Sequence, residues 1–376
     1  MTLDYVRLRI ENDEERLSPL AAKSRFTRGR LSPESPSPTR TAFQRDRDRI
    51  IHCKAFRRLK HKTQVFIAPE GDHYATRLTH TLEVAQIARS IARALNLNED
   101  LAEAIACAHD LGHTPFGHTG EEALNEIYPG GFRHNEQSLR VVDVLERDGQ
   151  GLNLTWETRD GILCHSKARE SVGAEGMGVA MTIEGQIVKL ADCIAYINHD
   201  IGDAVRAGLM SEDSLPPECV EFLGRTHSAR INSMVCDIIE TSAELVRANE
   251  SSRGLSEAQY AEARHFVEDN ARQGRALVKM SDRMLVATDI TREFLFQTVY
   301  VGSPAKQEAD RIKNVMACLY RHYLEHPEQL PNEFRVGLDK GSVERAVCDY
   351  VSGMTDRYAL KAFETLFVPR LWSVVD

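Results

Sequence analysis

The stretch Ala106-Cys-Ala-His-Asp-Leu-Gly-His-Thr-Pro-Phe-Gly-His-Thr-Gly-Glu121 gathers His109, Asp110, His113, His118 and Glu121 into one short span. The run before it, Asp100-Leu-Ala-Glu-Ala-Ile-Ala-Cys-Ala108, predicts a helix. Asp100 stands as N-cap with Glu103 three residues on, and Leu101, Ile105 and Ala108 recur at helical spacing. Gly112 and Pro115 end it. Neighbouring helical side chains point about 100° apart, because a turn takes about 3.6 residues. His109 and Asp110 can therefore share one ion only with groups brought from elsewhere in the chain. Their place at a helix C-terminus, rich in carbonyl oxygens, favours a cation.

With 376 residues, 42% hydrophobic and 27% charged, the chain can bury a substantial core. Its eight cysteines are scattered without a Cys-x-x-Cys pair, which argues against a zinc ribbon, a redox motif or a disulfide framework and fits a reducing cytoplasm. No run reaches the roughly 18 apolar residues of a membrane span, and the first dozen positions mix charges with single apolar residues, so no export signal or membrane anchor is expected. With a formal charge of -9, a general affinity for nucleic acid or anionic membrane is not expected from the whole-protein field. One basic island breaks the pattern: Arg40, Arg45, Arg47, Arg49, Lys54, Arg57, Arg58, Lys60 and Lys62 face only Asp46 and Asp48. Ile51, Ala55, Phe56 and Leu59 recur there at helical spacing, so the island reads either as a solvated helix face or as an anion-binding surface.

Residues 1–40 read as an extended N-terminal arm that ends in Leu31-Ser-Pro-Glu-Ser-Pro-Ser-Pro-Thr-Arg40. A basic helix is expected over Asp46 to Phe66, then a loop at Pro69 to Asp72. Arg77-Leu-Thr-His80 opens a helix with Leu82, Ala85, Ala88, Ile91, Ala92 and Leu95 in period. Gly130 and Gly131 lead into another that starts near His134, Thr158 to Lys167 looks helical, and Ser171 to Gly178 is a loop. From Thr182 to Val205 an apolar stripe of Ile183, Ile187, Leu190, Ile194, Ile197 and Ile201 runs beside Asp192, Tyr196 and Asp200, which recur every fourth residue on one flank. Further helices are expected at Cys219 to Leu223, Ile231 to Val246, Leu277 to Phe296, Ala305 to Leu324 and Val343 to Phe367. Period-2 strands are almost absent, and an all-α fold follows.

His80, His109, Asp110 and Asp192 offer two imidazoles and two carboxylates, a donor set suited to one divalent transition ion such as Mn, Fe, Co, Ni or Zn. Their order, H…HD…D, resembles the metal signature of the HD phosphohydrolase superfamily. Phe56-Arg-Arg-Leu-Lys-His-Lys-Thr-Gln-Val-Phe66, Arg77-Leu-Thr-His-Thr-Leu-Glu-Val84, the stretch from His109 to Glu121 and Leu190-Ala-Asp-Cys-Ile-Ala-Tyr196 extend the match. Together they resemble the deoxyguanosine triphosphate triphosphohydrolase family, over most of the chain.

The resemblance implies an HD core at 41–215 and an additional C-terminal helical region, 216–376, that completes the pocket and supplies oligomer contacts. The implied reaction splits a deoxynucleoside triphosphate, dGTP for the family's namesake, into deoxynucleoside and inorganic triphosphate by attack of water on the α-phosphorus. The ion would polarise the phosphate and acidify water, with Mg able to accompany the nucleotide. His118, held by Glu121, is the candidate acid for the leaving oxygen. By the same comparison His113, His134 and Arg77 face the phosphates, Gln64 and Tyr196 lie against the deoxyribose, and Asp200 accepts from its 3′-hydroxyl. Some branches of the family carry Lys directly after the last metal ligand, where this chain has Cys193, so Arg77, the basic island and Arg357 must supply the cations. The resemblance further implies a homo-oligomer and raises a nucleotide effector. The alternatives are a different nucleotide-directed HD phosphohydrolase, or a nucleotide sensor or single-stranded nucleic-acid binder whose basic island tracks phosphates. The net negative charge and the lack of interleaved aromatics count against the strand binder.

Overall fold

In the computed structural model, which describes residues 3–64, 75–166, 178–301, 305–335 and 342–369, the long apolar stripes become helices. α1 (Asp4–Asp13) leads through short 3₁₀ turns to α2 (Ala42–Ile51) and α3 (Lys54–Arg58). The histidines sit on or between α4 (Arg77–Ala94), α5 (Glu99–Ala108), α6 (Gly117–Ile127) and α7 (His134–Arg140). A π-helical turn at Val141–Leu145 precedes α8 (Glu146–Gly149), α9 (Trp156–Cys164) and the long α10 (Ile183–Arg206). Then come α11 (Pro217–Leu223), α12 (His227–Ser242), α13 (Glu257–Arg272) and α14 (Asp282–Leu295). The last are α15 (Ala305–Glu325), α16 (Asn332–Arg335), α17 (Val343–Ser352) and α18 (Asp356–Phe367). Among the described residues β pairing is confined to two isolated bridges, Arg30 with Thr155 and Thr63 with Thr76, and the fold is all-α as expected. Among the described residues no helix is long and apolar enough to cross a membrane.

Two apolar cores flank the histidine-rich stretch. In the first, the buried faces of α2, α4, α5 and α10 pack together with parts of α12 and α14, and Leu111 joins it. The second gathers Phe116, Ala123 and Leu124 with α15, α17 and α18. The turn from His109 to Phe116 therefore runs along the seam between them. Ser138 on α7 fixes that turn, accepting from Gly112 N at 2.9 Å and donating to His109 O at 2.6 Å. A Cβ on Gly112 would stand 2.1 Å from Ser138 N, so only glycine allows this approach. From the far side Asp356, at the start of α18, accepts from Phe116 N at 3.0 Å and from Thr63 N at 2.9 Å.

Helix starts follow side-chain caps. Thr76 caps α4 through Thr79 N, which puts His80 on the first turn, and Thr182 caps α10 through Gly185 N. At α5 the cap is Asn98, which accepts from Leu101 N at 3.2 Å, and not the expected Asp100. Asp100 is already inside the helix and pairs outward with Arg47 at 3.0 Å and Gln44 at 2.9 Å. The expected basic helix is broken at His52-Cys53, where Cys53 caps α3. Val65, Phe66 and the Pro69–Asp72 loop lie outside the described residues, as do Lys167 and most of the Ser171–Gly178 loop. α13 was not anticipated, α14 begins only at Asp282, and the stretch from Val343 to Phe367 divides at Gly353.

The arm is not extended throughout, since its first part is α1. The remainder threads into the protein: Leu20 and Ala21 are buried, Ser18 Oγ donates to Val246 O at 2.6 Å, and Lys23 Nζ donates to Ser18 O at 2.8 Å. Polar groups taken inward this way must find partners. Glu14 does so by accepting from Ser24 N and Asn98, although burial still pushes its pKa up to about 7.

Candidate metal centre and histidine array

α4 presents His80 from its first turn, the end of α5 presents His109 and Asp110, and the middle of α10 presents Asp192. His80 Nε2 lies 3.2 Å from Asp192 Oδ1, and His109 Nε2 lies 3.6 Å from Asp110 Oδ1. Single ligand atoms from His80, His109 and Asp110 all fall within 4.8 Å of one another. Metal–ligand bonds of about 2.1 Å place cis donors about 3.0 to 3.4 Å apart, so the spacing suits a single ion. His109 supplies the sharper test. Its Nδ1 donates to Ala106 O at 2.7 Å, which leaves Nε2 as the lone-pair nitrogen, and that Nε2 is buried without a hydrogen-bond partner. An orphaned acceptor clustered with His80 and the Asp110 carboxylate fits a metal ligand.

The surroundings tune these donors. Burial pushes His80 down to about 4, keeping its ring neutral, as ligation requires. Burial alone would raise Asp110, but the Arg77 guanidinium beside it holds it well below the carboxylate range. Arg77 is itself buried, with Nη1 2.5 Å from Asp110 Oδ2. Behind His80, its Nδ1 meets His199 Nε2 at 3.0 Å, and His199 Nδ1 lies 2.9 Å from Asp200. The His199 hydrogen bond, with the Asp200 carboxylate close behind it, is the kind of outer support that orients a ligating imidazole.

The candidate acid–base residues form the neighbouring patch. Glu121 accepts from His134 Nδ1 at 2.9 Å and from His134 N at 2.9 Å, whereas His118 Nδ1 is 3.6 Å away and His113 Nε2 is 4.0 Å away. Glu121 thus holds His134 more closely than the expected His118, because α7 starts against it while His118 stays 62% exposed. Burial opposes charge on both Glu121 and His134. Their hydrogen bonds prevail, holding Glu121 far below and His134 above its ordinary value. His113 goes the other way, lowered by burial and by Arg77.

The rings of His199, His80, His109, His165, His134, His113 and His118 follow one another at centroid spacings of 4.8 to 5.4 Å. Seven of the chain's 14 histidines therefore form one continuous row that includes the candidate metal donors His80 and His109.

Residues 77–197 match the HD domain, and residues 278–365 match the phosphohydrolase-associated domain. The deoxyguanosinetriphosphate triphosphohydrolase-like protein of Caldanaerobacter subterraneus subsp. tengcongensis is 51% identical over 356 residues, covering 95% of this chain and 94% of its own length. The chain belongs to this family. Proteins described in the same words from Clostridium tetani (44% identical, 99% of each chain) and Desulfatibacillum aliphaticivorans (45%, covering 94% of this chain and 95% of that one) extend the similarity. An HD phosphohydrolase acting on nucleotides is therefore established at the level of the family.

The other anticipated residues are placed less centrally. Tyr196 is partly buried, its ring 6.2 Å from that of His199, and Asp200 is fully buried against His199. Gln64 is half-buried with its backbone oxygen near Gly117, and Arg357 is exposed beside Asp356. Cys193 is buried. The basic island is largely spent on internal pairs: Arg40 with Asp48, Arg45 and Arg49 with Glu34, Arg47 with Asp100 and Glu103, and Lys54 with Asp148 and Glu333. Lys62 turns inward to donate to His113 O and, at 3.1 Å, to Ser352 O, and burial pushes it down to about 7. Sequence reasoning missed His165 and His199. For His199 a signal existed, since it stands seven residues after Asp192 and so near the same helix face.

Proposed function

We propose that this protein hydrolyses deoxynucleoside triphosphates, dGTP among them, to the deoxynucleoside and inorganic triphosphate. One divalent transition ion would be held by His80, His109, Asp110 and Asp192. The observation that carries this reading is the buried, partnerless His109 Nε2 clustered with His80 and Asp110, with Asp192 3.2 Å from His80, side by side with imidazoles anchored on Glu121. When bound, the ion supplies a Lewis acid for a phosphate oxygen and acidifies water, and Mg can accompany the nucleotide.

The chain's own groups carry the remaining chemistry. His113 and His134 face the phosphate oxygens, and Arg77 joins them with a planar fork of donors. His118, exposed at the rim, gives its proton to the leaving 5′ oxygen as that bond to phosphorus breaks and the water oxygen bonds to phosphorus. A positioned histidine typically contributes about 10²- to 10⁴-fold in this role. Gln64, Tyr196 and Asp200 are assigned to the deoxyribose and Arg357 to the phosphates. The C-terminal region completes the pocket through Asp356, which holds both Thr63 and Phe116. Assembly as a homo-oligomer in the cytoplasm belongs to the same reading.

The test is to incubate metal-loaded protein with each deoxy- and ribonucleoside triphosphate and to separate triphosphate, pyrophosphate and nucleoside. Nucleoside and triphosphate from deoxy substrates support the proposal. Monophosphate with pyrophosphate, or tight binding without any release, overturns it.

A further inference from the structure

His165 follows the end of α9 and is 1% exposed. Its Nδ1 lies 2.7 Å from Ile162 O. A carbonyl oxygen only accepts, so Nδ1 carries the hydrogen and Nε2 keeps a lone pair. That lone pair faces His134 Nε2 at 3.2 Å. The hydrogen between the two rings must therefore come from His134. At its opposite end His134 Nδ1 donates to Glu121, at 2.9 and 3.0 Å from the two carboxylate oxygens. The His134 ring is thus pinned from both ends, by a carboxylate and by a neutral imidazole. His113 stacks on it at 4.8 Å and 22°, while His165 also sets its edge against the metal-side ring of His109 at 5.0 Å.

We propose that His165 is a positioning residue: by accepting from His134 Nε2 it locks the His134 ring, whose other N–H is held by Glu121, in one orientation, so that the ring and the His113 ring stacked on it stand in one place beside the candidate metal donors. The proposal rests on the nucleotide-hydrolase reading above and adds a residue to it. Without the His165 acceptor, the Nδ1 bond to Glu121 still holds one end of the ring, but nothing aims the other. Misplacement of a catalytic group by about 1 Å is enough to cost about 10²-fold in rate.

The test uses full-length, metal-loaded protein carrying His165→Leu, which removes the acceptor, or His165→Gln, whose side-chain carbonyl can replace it. Each is also combined with His134→Ala. The expected result is a fall in kcat of about tenfold or more for His165→Leu, unchanged metal content, and recovery of most of the rate in His165→Gln. In the His134→Ala background, His165→Leu should add less than about twofold, because residues acting as a unit lose function non-additively. Additive losses, a loss of metal, or a His165→Leu enzyme as fast as the parent overturns the proposal.

A second readout does not need turnover. In protein labelled with ¹⁵N-histidine, a through-hydrogen-bond ¹⁵N–¹⁵N coupling should join His134 and His165 and vanish in His165→Leu. If the parent protein hydrolyses no nucleotide while the coupling is present, the functional reading fails and the assigned hydrogen bond stands. If nucleotide is hydrolysed and the coupling is absent, the positioning proposal fails alone.

Discussion

Replacing Glu121 by alanine removes the acceptor of two His134 hydrogen bonds, each 2.9 Å long, and the more distant partner of His118. The carboxylate is 17% exposed, so solvent screens it little. Charge-assisted hydrogen bonds of about 1.5–3 kcal/mol each give an expected loss of about 3–5 kcal/mol, the range for breaking one side of a buried pair. The pH dependence sharpens the prediction. Glu121 has a depressed folded pKa, so its contribution is present above the unfolded value near about pH 4.3 and fades as pH falls below it. His134 has a raised folded pKa, although burial opposes this, so its contribution is complete below about pH 6.5 and fades as pH rises through the folded value. The stability gap between parent and Glu121→Ala is therefore largest between about pH 4.3 and 6.5 and narrows on both sides. Urea denaturation across this range, with chelator present throughout so that metal release adds nothing, measures the gap. A gap below about 1 kcal/mol at mid-range, no more than an exposed pair gives, refutes the reasoning. So does a gap that widens steadily toward alkaline pH.

Gly112→Ala should destabilise by about 1–3 kcal/mol or more and lower metal affinity, because its Cβ would enter Ser138 N at 2.1 Å and push the His109 turn off α7; paired denaturation and metal titration read both effects. Asp356→Ala leaves the Thr63 and Phe116 amides without their acceptor and should cost about 2–4 kcal/mol, seen as a lower urea midpoint at unchanged slope. Asn98→Ala should cost about 1–2 kcal/mol as a lost helix cap, and Asp100→Ala about 1 kcal/mol or less. The reverse order in thermal melts would return the cap to Asp100.

The helical class and the approach of His80, His109 and Asp110 to one another, with Asp192 beside His80, were legible because both are written in local pattern. The α10 stripe fixes which flank Asp192 occupies, and the His109-Asp110 doublet at a helix end demands partners from elsewhere. The cap of α5 was misread because Asn98 and Asp100 are both good capping residues, and only the tertiary pull of Arg47 and Gln44 on Asp100 separates them. His118 was expected to be the closest partner of Glu121 on the strength of three-residue spacing. The nearer partner, His134, arrives across a loop that no periodicity describes. His165 was invisible for the same reason, being an ordinary residue past a helix end until α7 and α9 are packed together. The basic island looked like a phosphate surface because carboxylates that neutralise it, such as Glu34, Glu103 and Glu333, lie outside it in sequence.

The most direct measurement of the central claim follows oxygen. Metal-loaded protein is given a deoxynucleoside triphosphate in water enriched with ¹⁸O, and both products are weighed by mass spectrometry. Attack of water on the α-phosphorus, with proton donation to the leaving 5′ oxygen, predicts one ¹⁸O in the triphosphate and none in the deoxynucleoside. Label in the nucleoside 5′-hydroxyl, or pyrophosphate in place of triphosphate, would contradict it.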